Sequence, residues 1–295
     1  MRILVLGASG MLGSAMVYVL SRSIDLKVFA TIRAKFSDHH QLNVSSLNLI
    51  TDVDVTSDAS LERAFLTARP AVLINCVGVI KQLAAAQDPY TCIAINALLP
   101  HRLNQMCKAY GTKLVHISTD CVFSGHQGNY SEDDVSDCVD LYGRTKLLGE
   151  VSDANAVTLR TSIIGHEFND GTNGVLGWFL SQSGHCDGYE RAVFSGLPTV
   201  KLAHLIKDYV LPNMDLNGLY HVGAAPITKF DLLTLLSGTY HKKISIVPKS
   251  EPVLDRSLDV TKFFRATGYV APDWQDLIAH MHATSAFWTS TEIGA

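Results

Sequence analysis

In the stretch DLYGRTKLLGE, Asp140 to Glu150, a tyrosine and a lysine stand four residues apart in helix-favouring sequence. Residues i and i+4 of a helix share one face, so Tyr142 and Lys146 are expected to point the same way. A phenol titrates near ~10 in water, and an ammonium held beside it favours the phenolate, which makes the pair a usable proton donor near neutral pH. The chemistry on offer is general-acid assistance to the reduction of a carbonyl. Tyr-x-x-x-Lys also arises by chance on ordinary surface helices, so the elements that must position the pair decide between the two readings.

The chain opens with Arg2 to Leu6 (RILVL), a short apolar run that reads as a strand buried on both faces. It leads into the turn Gly7-Ala8-Ser9-Gly10-Met11-Leu12-Gly13 and then an apolar-periodic helix to about Leu20. Strand, glycine turn and helix in this order suit a dinucleotide pyrophosphate, because the glycines let the anion approach the backbone and the helix N-terminus supplies amide donors. The spacing is G-x-x-G-x-x-G, a variant of the usual G-x-G-x-x-G. A second strand, Leu26 to Ile32, ends at Arg33, where an NAD-preferring fold would carry an acid for the ribose hydroxyl. A guanidinium there suits a 2′-phosphate, so NADPH is expected in preference to NADH.

A polar stretch rich in Ser, Asp and His precedes an expected third strand, Leu47 to Val55. Ala59 to Arg69 reads as a helix, Ala71 to Val77 as a strand ending at Cys76-Val77-Gly78, Pro89 to Tyr110 as a long amphipathic helix containing Asn96, and Lys113 to Ile117 as the next strand. This alternation predicts an α/β, Rossmann-type doubly wound parallel sheet whose ligands lie beyond the carboxyl ends of the strands. Ser118-Thr119-Asp120 stands at one such end. A strand turns alternate side chains to opposite faces, so only one of the two hydroxyls can meet a carbonyl oxygen.

The chain has 295 residues, 47% of them hydrophobic, 18% charged, and a net charge of −4. That is too apolar for disorder, and no apolar run approaches the ~18 residues that suggest a membrane span. The absence of basic runs argues against nucleic acid. Six cysteines without C-x-x-C spacing, and histidines without a ligand motif, predict reduced thiols and no metal. The N-terminal segment falls short of a secretory signal, so a cytoplasmic location is expected.

With STDCVFSG (Ser118 to Gly125), GNYSEDD (Gly128 to Asp134) and YGRTKLLGE (Tyr142 to Glu150) in this order, the chain resembles the extended short-chain dehydrogenases, and within them the dTDP-4-dehydrorhamnose reductase family. The likeness extends through NCVG, VTLRTSIIG, SGLPTVKLA and, more weakly, DRSLD. The resemblance implies a catalytic set of Thr119, Tyr142 and Lys146. It also implies cofactor contacts from Gly7, Ser9, Gly10, Met11, Leu12 and Gly13 at the pyrophosphate, Asp54 and Val55 at adenine, and Cys76, Val77 and Gly78 along the cofactor. In such enzymes hydride from the nicotinamide reduces a nucleotide-linked sugar ketone, the tyrosine protonates the new alkoxide, and the lysine holds the ribose.

This chain departs from the family at Cys121, where tyrosine is usual, at Ile163, where an aromatic is usual, and over Val79-Ile80-Lys81-Gln82. All lie on the expected substrate side, so a UDP-linked N-acetylated sugar suits the chain as well as a dTDP-linked one. Lys81, Asp120 and Arg191 are the further candidate substrate contacts, although Lys81 and Arg191 also read as ordinary solvated cations. The expected organisation is a cofactor domain over residues 1–165, rejoined by 196–222, and a smaller substrate lobe formed by 166–195 and 223–295. In that lobe, Gly171 to Arg191 reads as loop and helix, and the tail from Ser285 as mobile. Two other functions fit the same motifs: an epimerase or dehydratase of the superfamily, which Asp120-Cys121 in place of Asp-Glu disfavours, and a non-catalytic regulatory subunit. Family likeness implies a homodimer.

Overall fold

Side-chain alternation along β1 (Arg2–Leu6) divides the core of the chain, whose computed structural model describes residues 1–33, 47–82, 84–168 and 171–289. Ile3 and Val5 enter one buried cluster and Leu4 and Leu6 the opposite one. A strand buried on both faces must have helices above and below it.

After β1 come α1 (Met11–Leu20), β2 (Lys27–Thr31), β3 (Asn48–Ile50), α2 (Asp58–Ala68) and β4 (Val72–Asn75). A nearly continuous helical stretch follows: α3 (Pro89–Cys92), a π-helical segment (Ile93–Leu98) and α4 (Leu99–Tyr110). Next are β5 (Lys113–Thr119), α5 (Leu141–Leu148), β6 (Ala156–Thr161), β7 (Ile163–Ile164), α6 (Val175–Ser181), β8 (His185–Tyr189), β9 (Ala192–Phe194), β10 (Leu197–Pro198) and α7 (Thr199–Leu205). The chain ends with β11 (Gly218–His221), β12 (Ile227–Thr228), α8 (Lys229–Thr239), β13 (Ser245–Lys249), β14 (Leu254–Asp255), α9 (Thr261–Thr267), α10 (Trp274–Ala283) and α11 (Ala286–Thr289).

Seven of these strands form one parallel sheet in the order β11-β6-β5-β4-β1-β2-β3. The order reverses between β1 and β4, and that reversal opens the ligand crevice of a doubly wound fold. Leu12, Met16 and Val19 of α1 pack with Leu202 and Ile206 on one face, while Leu61 and Phe65 of α2 pack with Leu103 and Cys107 of α4 on the other. Small sheets β12-β9-β14 and β13-β8 stand apart from the main one.

Four expectations are corrected. The third strand stops at Ile50, because Asp52 adopts φ +57° and Val53 hands its N–H back to the Ile32 carbonyl. The expected Pro89–Tyr110 helix contains a π segment where Asn96 clamps Val79 by bonds of 2.8 and 3.0 Å. Gly184 to Arg191 contains the strand β8, whose partner β13 lies far along the chain. The tail from Ser285 is ordered through α11, with Trp288 donating to the Ser14 hydroxyl at 2.9 Å. The polar stretch at 34–46 and the end of the tail, 290–295, lie outside the described residues.

Candidate active site

Three local devices bring α5 to the carboxyl end of β5. The carboxylate of Asp140 caps the helix by accepting from the Gly143 amide at 2.8 Å. A Cβ on Gly143 would stand 2.4 Å from the Cys121 carbonyl, and one on Gly149 would stand 2.0 Å from the Asn96 carbonyl. Only glycine lets the helix lie this close to the loop after β5 and to the π segment.

Tyr142 is half-buried, and burial raises its pKa, with Cys121 adding to the shift and carboxylates Asp120 and Asp140 contributing less. The nearby Thr119 hydroxyl, which donates to Asp120 at 3.2 Å and accepts from the Cys121 amide at 3.1 Å, opposes this shift. Lys146 is buried, and its ammonium donates to the Ile117 carbonyl at 2.7 Å. Desolvation lowers its pKa to about 8, with Glu150 opposing. The expectation that the ammonium pulls the phenol toward phenolate is therefore corrected. The lysine is engaged by the backbone of β5, and the groups acting on the phenol are a thiol, a hydroxyl and two carboxylates. A neutral phenol is the form this setting favours, and a neutral phenol is what a proton donor needs.

The two hydroxyls of β5 divide as strand alternation requires. Thr119 faces Tyr142, while Ser118 donates to Glu150 at 2.7 Å. Glu150 also takes both arms of Arg160 at 2.7 Å each, and Arg160 reaches His221 at 3.3 Å, so a buried polar network braces the sheet behind the phenol. Asp120 is buried and its pKa is raised by desolvation. Cys121 has its thiol pushed up to about 11.

The glycine turn has the shape a dinucleotide requires. Gly7 takes φ +80°, and a Cβ on Gly13 would lie 2.0 Å from the Gly7 carbonyl, so the turn and α1 cannot separate. A Cβ on Gly10 would meet only that carbonyl, at 3.5 Å. The first turn of α1 carries no acid and Gly10 makes no side-chain cap, leaving its amides for an anion. Ser9 is exposed and Met11 half-buried, whereas the Leu12 side chain belongs to the core, so only its backbone can meet a ligand. Val77 packs against Gly7, with Gly78 exposed beside it and Cys76 raised to about 12 by burial. Arg33 is exposed and acts on Asp54, whose carboxylate is held by the Thr56 amide and hydroxyl at 2.8 and 2.7 Å. Val55 is half-buried against the second core cluster.

On the substrate side, Lys81 pairs with Asp140 at 2.8 Å and sits 5.5 Å from the centroid of the Tyr142 ring, so it is not a free surface cation. Ile163 is half-buried in β7. Arg191 is exposed in the turn between β8 and β9 and offers its backbone carbonyl to Leu254. Two cations that sequence reasoning did not single out come in instead. Arg256 donates to the Phe123 carbonyl at 2.7 Å and reaches Cys121 Sγ at 3.8 Å, and Lys229 acts on Asp120 and Cys121. The DRSLD motif contained the first, but nothing in spacing connects either to Tyr142.

A family model described as the RmlD substrate binding domain matches residues 1–286. A dTDP-4-dehydrorhamnose reductase of Streptomyces griseus is 35% identical over 150 residues, covering 50% of this chain and 43% of that protein. Methionine adenosyltransferase 2 subunit beta of Rattus norvegicus is 29% identical over 153 residues, covering 50% of this chain and 41% of that protein. The match thus spans less than half the length of either relative. Among solved structures, the dTDP-4-dehydrorhamnose reductase of Bacillus anthracis in complex with NADP superposes with a TM-score of 0.75 at 19% identity, over 96% of this chain and 98% of that one. At that identity the likeness speaks for the fold.

Proposed function

The chain belongs to the RmlD substrate binding domain family, and from that premise we propose that it is an NADPH-dependent reductase of a nucleotide-activated 4-keto-6-deoxysugar, acting in deoxysugar biosynthesis. The observation that carries this reading is the packing of α5, which bears Tyr142 and Lys146 one turn apart, against the carboxyl end of β5, where Thr119 stands. The similar reductases support it.

When bound, the dihydronicotinamide supplies the hydride. The chain's own residues do the rest. Gly7, Gly10 and Gly13 admit the pyrophosphate to the amides of α1, with Cys76, Val77 and Gly78 forming the opposite wall. Arg33 takes the 2′-phosphate, and Asp54 and Val55 border the adenine. Thr119 donates to the sugar carbonyl oxygen and orients it. Tyr142 gives its proton to that oxygen as negative charge develops there, and Lys146, one helical turn from it, would hold the ribose hydroxyls of the bound cofactor. Segments 166–195 and 223–295 serve as the substrate lobe and contribute Arg191 to the rim, with Ile163 as a further substrate contact. A cytoplasmic homodimer is part of the same reading. Among the described residues no helix is long and apolar enough to cross a membrane.

The test is NADPH consumption with dTDP- and UDP-linked 4-keto-6-deoxysugars. Wild type is expected to turn over at least one, and Tyr142→Phe to lose about two to four orders of magnitude in rate. Turnover that survives the substitution removes the proposed acid. The likeness to a methionine adenosyltransferase beta subunit favours a second reading, a regulatory subunit that keeps the cofactor fold. Tight NADPH binding without turnover of any sugar would select it.

A further inference from the structure

The segment Leu254 to Asp259 carries the DRSLD motif, and its backbone amides are shared between two parts of the molecule. Leu254 donates to the Arg191 carbonyl at 2.9 Å and Leu258 to the Ser195 hydroxyl at 3.1 Å, both in the segment 166–195 assigned to the substrate lobe. Asp255 donates to the Gly125 carbonyl at 2.8 Å and Asp259 to the Tyr130 carbonyl at 2.7 Å, both in the loop between β5 and α5. The same loop returns the Tyr130 amide to the Ser257 carbonyl and the Asn129 amide to the Ser257 hydroxyl, each at 2.8 Å. β14 is the edge of the sheet β12-β9-β14, and the loop lies along the side that β9 leaves open.

That loop begins at Thr119, whose hydroxyl accepts from the Cys121 amide at 3.1 Å and heads the turn Asp120–Val122. Phe123 follows, offers its carbonyl to Arg256 Nε at 2.7 Å, and stacks on the Tyr130 ring with centroids 4.2 Å apart. The Tyr130 hydroxyl accepts from the Gly125 and Gln127 amides at 3.2 and 3.1 Å, so the loop is folded around that ring. Two glycines bring the segments together. A Cβ on Gly125 would stand 2.6 Å from Leu254 Cδ1, and one on Gly128, at φ +75°, would stand 2.4 Å from the Asp255 carboxylate. Ser257 is 2% exposed, and its carbonyl and hydroxyl are both taken by the loop, so whatever it does to a ligand must pass through the loop.

We propose that Ser257 and Gly128 are positioning residues: Leu254 to Asp259 is a strap that fixes the substrate lobe to the Thr119 loop, so that a sugar seated in the lobe and the hydroxyl that orients its carbonyl move as one body. The sugar in this account rests on the reductase reading, and the link itself does not. Bonded along both edges, strap, loop and lobe edge open together, and cooperative opening of that kind is read by amide hydrogen exchange. Loss of one neutral hydrogen bond changes such an opening equilibrium about threefold to tenfold.

The test is native-state hydrogen exchange of the full chain, wild type against Ser257→Ala, Ser257→Thr and Gly128→Ala. Ser257→Ala is expected to speed exchange by a common factor of about threefold to tenfold in peptides covering 119–130, 192–195 and 254–259, and to change those of β1 and β4 less. Ser257→Thr keeps the hydroxyl and is expected to restore the wild-type pattern. Faster exchange confined to 254–259, or one equal factor across the whole chain, overturns the link. Gly128→Ala presses on Asp255 from the loop side, is expected to give the same pattern, and decides the matter should Ser257→Ala fail to fold. With a sugar that wild type reduces, Ser257→Ala is expected to lower kcat/KM for the sugar about threefold to tenfold at unchanged KM for NADPH. An equal rise in KM for NADPH overturns the positioning role. Absence of turnover with every sugar would sink the reductase reading, while the exchange experiment still decides the link.

Discussion

Lys146 gives its ammonium to the carbonyl oxygen of Ile117 at 2.7 Å, although its helix sets it one turn after Tyr142. Its pKa falls from 10.5 to about 8. The unfolded chain therefore holds more protons between those values, and the sign follows. The buried charge costs stability below about pH 8, and the cost is relieved as pH rises toward the ordinary lysine value. Lys146→Met is expected to raise the melting temperature near pH 7 by the equivalent of ~1–3 kcal/mol while abolishing turnover. Melts of both proteins between about pH 6 and 10 check this. A lower melting temperature near neutrality would refute it.

Gly13 and Gly10 should separate packing from ligand contact. Alanine at Gly13 drives a Cβ to 2.0 Å from the Gly7 carbonyl, backbone against backbone, whereas alanine at Gly10 meets only an ordinary contact at 3.5 Å. Gly13→Ala is expected to cost ~1–3 kcal/mol of stability together with cofactor affinity. Gly10→Ala is expected to keep the melting temperature and weaken NADPH binding alone. Calorimetry and thermal melts read the two effects, and equal melting temperatures for the two variants would defeat the argument.

Glu150 joins Arg160 by two bonds, with side-chain exposures of 12% and 5%, and accepts from Ser118 as well. Removing its charge leaves a buried guanidinium uncompensated, which costs on the order of 3–5 kcal/mol. Glu150→Gln is expected to melt well below wild type. The double variant Glu150→Gln/Arg160→Met is expected to lose less than the sum of the single losses. Strict additivity would show that the pair does not act as a unit.

Arg33 is exposed where the second strand ends. Arg33→Ala is expected to raise KM for NADPH at least about tenfold and to change KM for NADH little, because only NADPH carries the phosphate that a guanidinium clamps. Steady-state kinetics with both cofactors decides, and equal effects would remove the assignment.

The alternation of strands and helices that builds the main sheet was legible because each strand is a local apolar run and each glycine or proline punctuates one. The residues of the turn at Gly7 and the alternation that separates Ser118 from Thr119 could be read in the same way. The end of the third strand could not, since Asp52 turns it and a long-range amide from Val53 satisfies Ile32. Strand β8 was hidden for the same reason, as its partner β13 lies far along the chain.

The sequence by itself determined the alternating α/β plan, the glycine cradle, and the shared helical face of Tyr142 and Lys146, all set by contacts within a turn or a strand. Tertiary structure alone decided that Lys146 answers to Ile117, that Lys81 joins Asp140 beside the phenol, and that Arg256 reaches Cys121. Burial and charge depend on what the fold brings from elsewhere, and no spacing along the chain records that.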